Sequence, residues 1–217
     1  MKPMKILSLI PFVLLCVPAF AQANRPASLV TVTDAYLPYQ VVLDGFVILG
    51  VSLDSRATVT AIHVLRDPGS MVSAATSSVR TWTFAPALED NKAQASEITV
   101  VFVYRPADYG GAKAVLPRPF VPVLPTLKHD AQAPAGILSV AYPAYPVNTV
   151  AWGSVIVQAR LDETGAMKDA QVLLRKEPFT APSLKALKNW SFQPAMFHGK
   201  ATEANVAVAF VFQSPSN

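Results

Sequence analysis

The side chains here that could carry chemistry are few: three histidines, one cysteine and two aspartates at matched positions. His63, His129 and His198 stand far apart, and none lies at metal-ligand spacing from another histidine or from Cys16. No nucleophile elbow, phosphate loop or dinucleotide fingerprint is present, and Gly110-Gly111 is an isolated glycine pair. Asp54 and Asp162 could serve as paired carboxylates in acid–base catalysis, but each falls in a short polar stretch between two apolar runs, where aspartate is a turn former. A hydrolase built on these aspartates with His63 or His198 is the catalytic alternative. Trp82 and Trp190 read either as ligand-stacking platforms or as core residues whose indole N–H needs a buried acceptor. No catalytic residue, metal or cofactor is therefore assigned. The expectation is a binding protein.

The elements that position these residues occur twice. Shifting the sequence by 108 residues lays Gly45–Tyr104 on Gly153–Phe212 without a gap, and sixteen of the sixty positions are identical. Gly45/Gly153, Leu53/Leu161, Asp54/Asp162, Trp82/Trp190, Phe84/Phe192, Pro86/Pro194 and Phe102/Phe210 are among them. A fixed-period match of this kind is one structural unit built twice. Each unit is small for a lone core, so packing between copies or against a partner is expected.

A charged fraction of 15% and an apolar fraction of 52% point to folded domains. Lys2 and Lys5 precede an apolar run, Ile6–Val17, and Pro18-Ala19-Phe20-Ala21 follows. This is the layout of a secretory signal peptide over residues 1–21. Pro11 and Pro18 interrupt a run shorter than the roughly 20 residues of a spanning helix. A retained anchor and a lipoprotein at Cys16 are the alternatives. Cleavage after Ala21 removes the lone cysteine and two positive charges. That leaves sixteen basic against fourteen acidic side chains, too mild a balance to imply nucleic acid. Export without disulfides fits the periplasm.

In the first copy, alternation predicts a strand over Phe46–Asp54, a return over Val59–Leu65 and a third strand over Ile98–Tyr104. Val72, Ala75, Val79 and Trp82 predict a short helix, with Ser70 or Ser73 as its cap. The second copy repeats this. Val155, Val157, Ala159 and Leu161 alternate, Asp162-Glu163-Thr164-Gly165 turns with Gly165 available for positive φ, and Met167–Arg175 returns. Thr180 is the expected cap of a helix bearing Leu184, Leu187 and Trp190. His198-Gly199-Lys200 turns, and Ala204–Phe212 is the last strand. Between the copies, residues 106–140 are rich in proline and predict an extended connector, apolar enough at Val115, Leu116, Phe120, Val121, Val123, Leu124 and Leu127 to lie partly against a domain.

Tyr142-Pro143, a Gly-x-Val strand from Gly153, Asp162-x-x-Gly165, a short helix, Trp190-x-Phe192-x-Pro194-Ala195, Gly199-Lys200 and a final apolar strand together resemble the C-terminal domain of the TonB energy-transducer family. The resemblance covers about Tyr142–Gln213. The first copy is similar with departures: Asp34-Ala35 stands for Tyr-Pro, Ala57 for Gly165 and Asn91 for Gly199. It implies an α+β fold of two tandem domains, each a three-stranded antiparallel sheet on a short helix. The expected domains are 22–105 and 141–217. In that family the last strand is an edge that recruits a segment of an outer-membrane transporter by strand addition. Carried over, the partner-binding residues are Asn205, Val206, Ala207, Val208, Ala209, Phe210 and Val211. Val206, Val208, Phe210 and Phe212 would face the core, and the small set Asn205, Ala207, Ala209 and Val211 would face outward to meet a partner.

Two binding readings stay open. In the first, the chain is a periplasmic TonB-like protein that captures a protein partner, an outer-membrane TonB-dependent transporter, on Ala204–Phe212. In the second it is a non-energised envelope scaffold in which Ile98–Tyr104 and Ala204–Phe212 pair with each other in one six-stranded sheet. A retained N-terminal segment would instead make it a membrane-anchored energy transducer.

Overall fold

The computed structural model describes residues 24–36, 45–66, 69, 71–106, 132–146 and 149–213, and the backbone of 118–119. The signal-peptide expectation, His129, Ser70 and the apolar connector residues from Val115 to Leu127 lie outside the described residues.

The first copy contains β1 (Ser28–Thr31), β2 (Gly45–Leu53), β3 (Val59–Arg66), α1 (Val72–Val79), β4 (Thr83–Ala85), β5 (Ala87–Glu89), β6 (Lys92–Gln94) and β7 (Ser96–Arg105). A two-residue strand, β8 (Arg118–Pro119), precedes the second copy. There follow β9 (Gly136–Val140), β10 (Gly153–Leu161), β11 (Met167–Leu174), α2 (Thr180–Leu187), β12 (Ser191–Gln193), β13 (Ala195–Phe197), β14 (Lys200–Thr202) and β15 (Ala204–Phe212). The final five residues of the expected connector, Gly136–Val140, thus form a strand, and Arg118–Pro119 pairs with it.

Each copy folds as an antiparallel triple, β3-β2-β7 and β11-β10-β15. The triples join through β7 and β15, which run parallel, and the result is a single six-stranded sheet in the order β11-β10-β15-β7-β2-β3. Parallel pairing of equivalent strands relates the copies by an approximate two-fold along the strands, which turns one copy over relative to the other. The helices therefore lie on opposite faces. One core combines α1 and Val47, Leu49, Val100 and Phe102 of the first copy with Ile156, Ala207, Ala209 and Val211 of the second. The other combines α2 and Val155, Val157, Val208 and Phe210 of the second copy with Phe46, Ile48, Val101 and Val103 of the first. Strands β2, β7, β10 and β15 are apolar on both faces because both faces are covered.

The hairpin turns follow their local chemistry. Asp54 Oδ1 accepts the N–H groups of Arg56 and Thr58 at 2.8 Å each. Asp162 Oδ1 accepts those of Thr164 and Ala166 at 2.8 and 3.0 Å. Gly165 takes φ +85°, and Ala57 adopts the same left-handed region at φ 62°. The expected helix caps are corrected. Ser73 is inside α1, which starts after Met71 without a side-chain cap. Thr180 is the first residue of α2, also uncapped, and its hydroxyl exchanges hydrogen bonds with the Lys176 backbone at 3.1 Å. Burial of one face of a two-turn helix, rather than a cap, holds each in place.

Candidate functional site

The segment expected to bind a partner lies at the centre of the sheet. Strand β15 pairs with β10 from Gly153↔Phe212 to Leu161↔Ala204, and with β7 from Val206↔Thr99 to Phe212↔Arg105. The second ladder continues as Gln213 N–H donates to the Arg105 carbonyl at 2.9 Å. Val206, Ala207, Val208, Ala209, Phe210 and Val211 are fully buried and Asn205 nearly so. The edge that the family resemblance leaves free is paired with the first copy. The small outward set Ala207, Ala209 and Val211 lies in the core that α1 and the first copy's strands form. A transporter segment could add to β15 only by displacing one of its two paired neighbours, β7 or β10. A short peptide of micromolar affinity supplies about 8 kcal/mol in all. Here it would compete with a tethered strand whose effective concentration is millimolar or more.

The chain ahead of each copy locks this arrangement by crossing to the other copy. Residues 27–35 pair with β4 of their own copy through β1 and then cover the outer face of the second copy. The Asn205 amide donates to the Ala27 carbonyl at 2.9 Å, and Leu29 N–H donates to Gln158 Oε1 at 2.7 Å. Ser154 donates through its N–H and its hydroxyl to Asp34 Oδ1 at 3.0 and 2.6 Å, while Ala35 N–H donates to the Ser154 hydroxyl. Residues 135–145 do the same on the first copy: they pair with β12 through β9, and Ala135, Ile137, Val140 and Ala141 join the core beside Phe46, Ile48, Val101 and Val103. Here Thr99 Oγ1 donates to the Ala135 carbonyl at 2.6 Å. Phe46 is held between the Tyr142 ring, at 6.3 Å edge-on, and the Arg66 guanidinium, 3.7 Å above its centroid.

The tryptophans fasten the ends of these crossing segments. Trp190 Nε1–H donates to the Ala141 carbonyl at 2.9 Å, and Trp82 Nε1–H donates to the Thr33 carbonyl at 3.2 Å. These acceptors are equivalent in the two copies. Both indoles are buried and pack on core phenylalanines: Trp82 stacks on Phe102 at 5.3 Å, and Trp190 meets Phe210 edge-on at 5.9 Å.

The candidate chemical residues remain apart in role. Asp54 and Asp162 are engaged by turn amides. Their carboxyls are held below the ordinary range, Asp54 first by the Thr58 amide and Asp162 first by the Thr164 hydroxyl. His63 is exposed on β3 opposite Gly50. His198 sits in the β13–β14 turn, Nε2 3.7 Å from Glu89 Oε1 of the other copy. Among the described residues no group of three or more His, Cys, Asp or Glu is placed to hold a metal ion, and no helix is long and apolar enough to cross a membrane.

A cleft of about 380 Å³ opens where β7 and β15 begin, between the β5–β6 and β13–β14 hairpins and the two crossing segments. Sequence reading missed it, together with Glu97, Ser154, Gln158 and Asp34. The available signal was the set of outward positions where the copies differ: Phe46/Ser154, Gly50/Gln158, Glu97/Asn205 and Asp34/Tyr142.

No curated protein and no solved structure gives a significant match to the chain. The profile of the Gram-negative bacterial TonB protein C-terminal domain does match, over residues 41–106 and again over 139–213. Those two stretches contain the two antiparallel triples and both helices, and with the matching profile they establish that the chain belongs to the TonB C-terminal family, which it carries in two tandem copies.

Proposed function

We propose that this chain is a non-energised binding scaffold of the periplasm, acting in TonB-dependent transport or envelope assembly with its two strand-addition edges closed on each other. The β7–β15 ladder carries this reading: it spends on an internal contact the edge that the family resemblance assigns to a transporter segment. Partners would meet the closed body, and the tethered first copy would keep transporter segments off β15.

A second reading rests on the same strand. The first copy, docked on β15, is itself an added strand, and parallel pairing is slightly weaker per residue than antiparallel pairing. Release of β7 would then expose Asn205, Val206, Ala207, Val208, Ala209, Phe210 and Val211 to an outer-membrane transporter.

Amide hydrogen exchange on the full chain, with and without a peptide carrying a transporter's N-terminal segment, separates the two. The scaffold reading expects the amides of Val206–Phe212 to exchange as slowly as those of β10, with no change on adding peptide. Faster exchange in Ile98–Tyr104 when peptide is present, with β15 still protected, would overturn it in favour of strand exchange. Intact mass of the exported protein tests for a retained anchor.

A further inference from the structure

The approximate two-fold brings Glu97 to the position equivalent to Asn205, and Gly50 to that of Gln158. In the second copy, Asn205 and Gln158 both bind the crossing backbone, at Ala27 and Leu29. In the first copy that task falls to Thr99, which takes the Ala135 carbonyl. Glu97 is left without it. Its carboxylate lies in the space that the missing side chain of Gly50 vacates: a Cβ built on Gly50 would come within 2.0 Å of Oε1. Glu97 Oε1 is buried there with no hydrogen-bond partner. Such an oxygen costs stability unless something is supplied to it.

Glu97 also lines the cleft at the start of β7 and β15. Ala27, Leu88, Ile98, Ala135 and Met196 give the cleft apolar walls. Glu89, Glu163 and Glu203 bring further negative charge, against Arg25 as the basic group of the lining. Glu203 is already engaged by Arg160 at 2.7 Å and Lys168 at 2.6 Å, and Glu89 faces His198. Among the acidic residues of this lining, Glu97 is the one with a buried oxygen that has no hydrogen-bond partner. The terminal torsion of a glutamate is broad, so its two oxygens can exchange places.

We propose that this cleft is a binding site for a protonated amine on an aliphatic stem, with Glu97 as the counter-charge and the apolar walls covering the stem. A lysine side chain of a partner protein and a free diamine share this chemistry. A neutral isostere offers the carboxylate at most an uncharged hydrogen bond and no counter-charge, so it binds more weakly. The proposal does not depend on whether β15 ever opens.

The test uses the full chain and two probes, pentane-1,5-diamine and an uncharged-terminus tripeptide with a central lysine, followed by amide chemical shifts. Saturable shifts at Ala27, Ile98, Ala135 and Met196 are expected with at least one probe. Response to the diamine marks a free amine as the natural source, and response to the peptide alone marks a protein lysine. Pentan-1-ol should bind about tenfold more weakly than the diamine. Glu97→Gln, which removes charge but no existing hydrogen bond, should weaken binding about tenfold or more, the scale of a charged hydrogen bond. Glu163→Gln, a change at the same cleft, should leave affinity within about twofold, as for a screened surface charge. The unperturbed part of the spectrum reports that each variant is folded. No saturable shift with either probe would overturn the proposal. So would equal affinity in Glu97→Gln, or equal losses in both variants, which would mark a diffuse field.

Discussion

The two copies solve one problem with different residues. Each must have its outer sheet face covered by the segment that leads into the other copy, and each must end that segment at a buried tryptophan. The second copy does this with polar anchors: Ser154 on Asp34, Gln158 on Leu29 and Asn205 on Ala27. The first does it with apolar and aromatic contact, Phe46 between Tyr142 and Arg66, plus the single hydroxyl of Thr99. What looks degenerate in the first copy, Asp34 in place of a tyrosine, is half of a matched exchange with Ser154 in place of Phe46. Divergence between repeats here is complementarity across a seam. It makes the two copies one mutually dependent body, and it releases one carboxylate, Glu97, from structural duty.

The largest effect should come from breaking the shared core. Phe102 and Phe210 are equivalent and fully buried, one in each core. Phe102→Ala and Phe210→Ala should each cost about 3–5 kcal/mol. If the copies are one body, either change should lower a single unfolding transition seen by urea denaturation. Two separate transitions, with only one moved, would break the comparison.

The hairpin turns come next. Gly165 has positive φ, and an added Cβ would meet the Phe192 carbonyl at 2.7 Å and the Pro194 nitrogen at 3.0 Å, both backbone atoms that cannot swing away. Gly165→Ala should destabilise by about 1–3 kcal/mol. Ala57 already carries a Cβ at the equivalent left-handed position. Ala57→Gly should shift stability by less than about 1 kcal/mol, since relief of strain opposes the added freedom of the unfolded chain. Thermal midpoints of the two variants measure the difference directly.

Asp34→Ala removes the acceptor of both Ser154 donors and should cost about 1–2 kcal/mol. Amide exchange should rise first in residues 27–35 and along β15, because the lost contact lies on the strap over the second copy. A uniform rise across both copies would argue against a local strap.

The smallest effects concern pH, and the two kinds of carboxyl have opposite signs. Asp54 and Asp162 are depressed from their ordinary 3.8 by turn hydrogen bonds. Their stabilisation is present above that value and is lost as pH falls through the folded value. Burial raises Glu97 from its ordinary 4.5, opposed by the nearby His63. The folded state then holds that proton more tightly, so stability is complete below 4.5 and declines as pH rises through the raised value. Asp162→Asn should therefore lose stability at neutral pH and match the parent in strong acid. Glu97→Gln should gain at neutral pH and converge with it in acid. Urea midpoints across pH 2–8 check both signs.

Much of this molecule is legible along the chain. The 108-residue repeat, the period-two strands, the aspartate turns and the Trp-x-Phe-x-Pro-Ala exits fix two α+β units, because alternation, turn chemistry and helical spacing are local properties. The helix caps were not legible, since α1 and α2 are held by burial of Ala75, Val79, Ala186 and Leu187 rather than by an end residue. Nor was the fate of Asn205, Val206, Ala207, Val208, Ala209, Phe210 and Val211. An apolar strand with a small outer face is equally suited to receive a partner or the other copy, and the sequence contains both possibilities. Which of them holds depends on the crossing segments, whose anchors join residues more than a hundred positions apart: Asn205 to Ala27, Ser154 to Asp34, Gln158 to Leu29. Local pattern determined the two units. Only the tertiary structure decided that they close on each other, because the contacts that close them have no period and no neighbour in sequence.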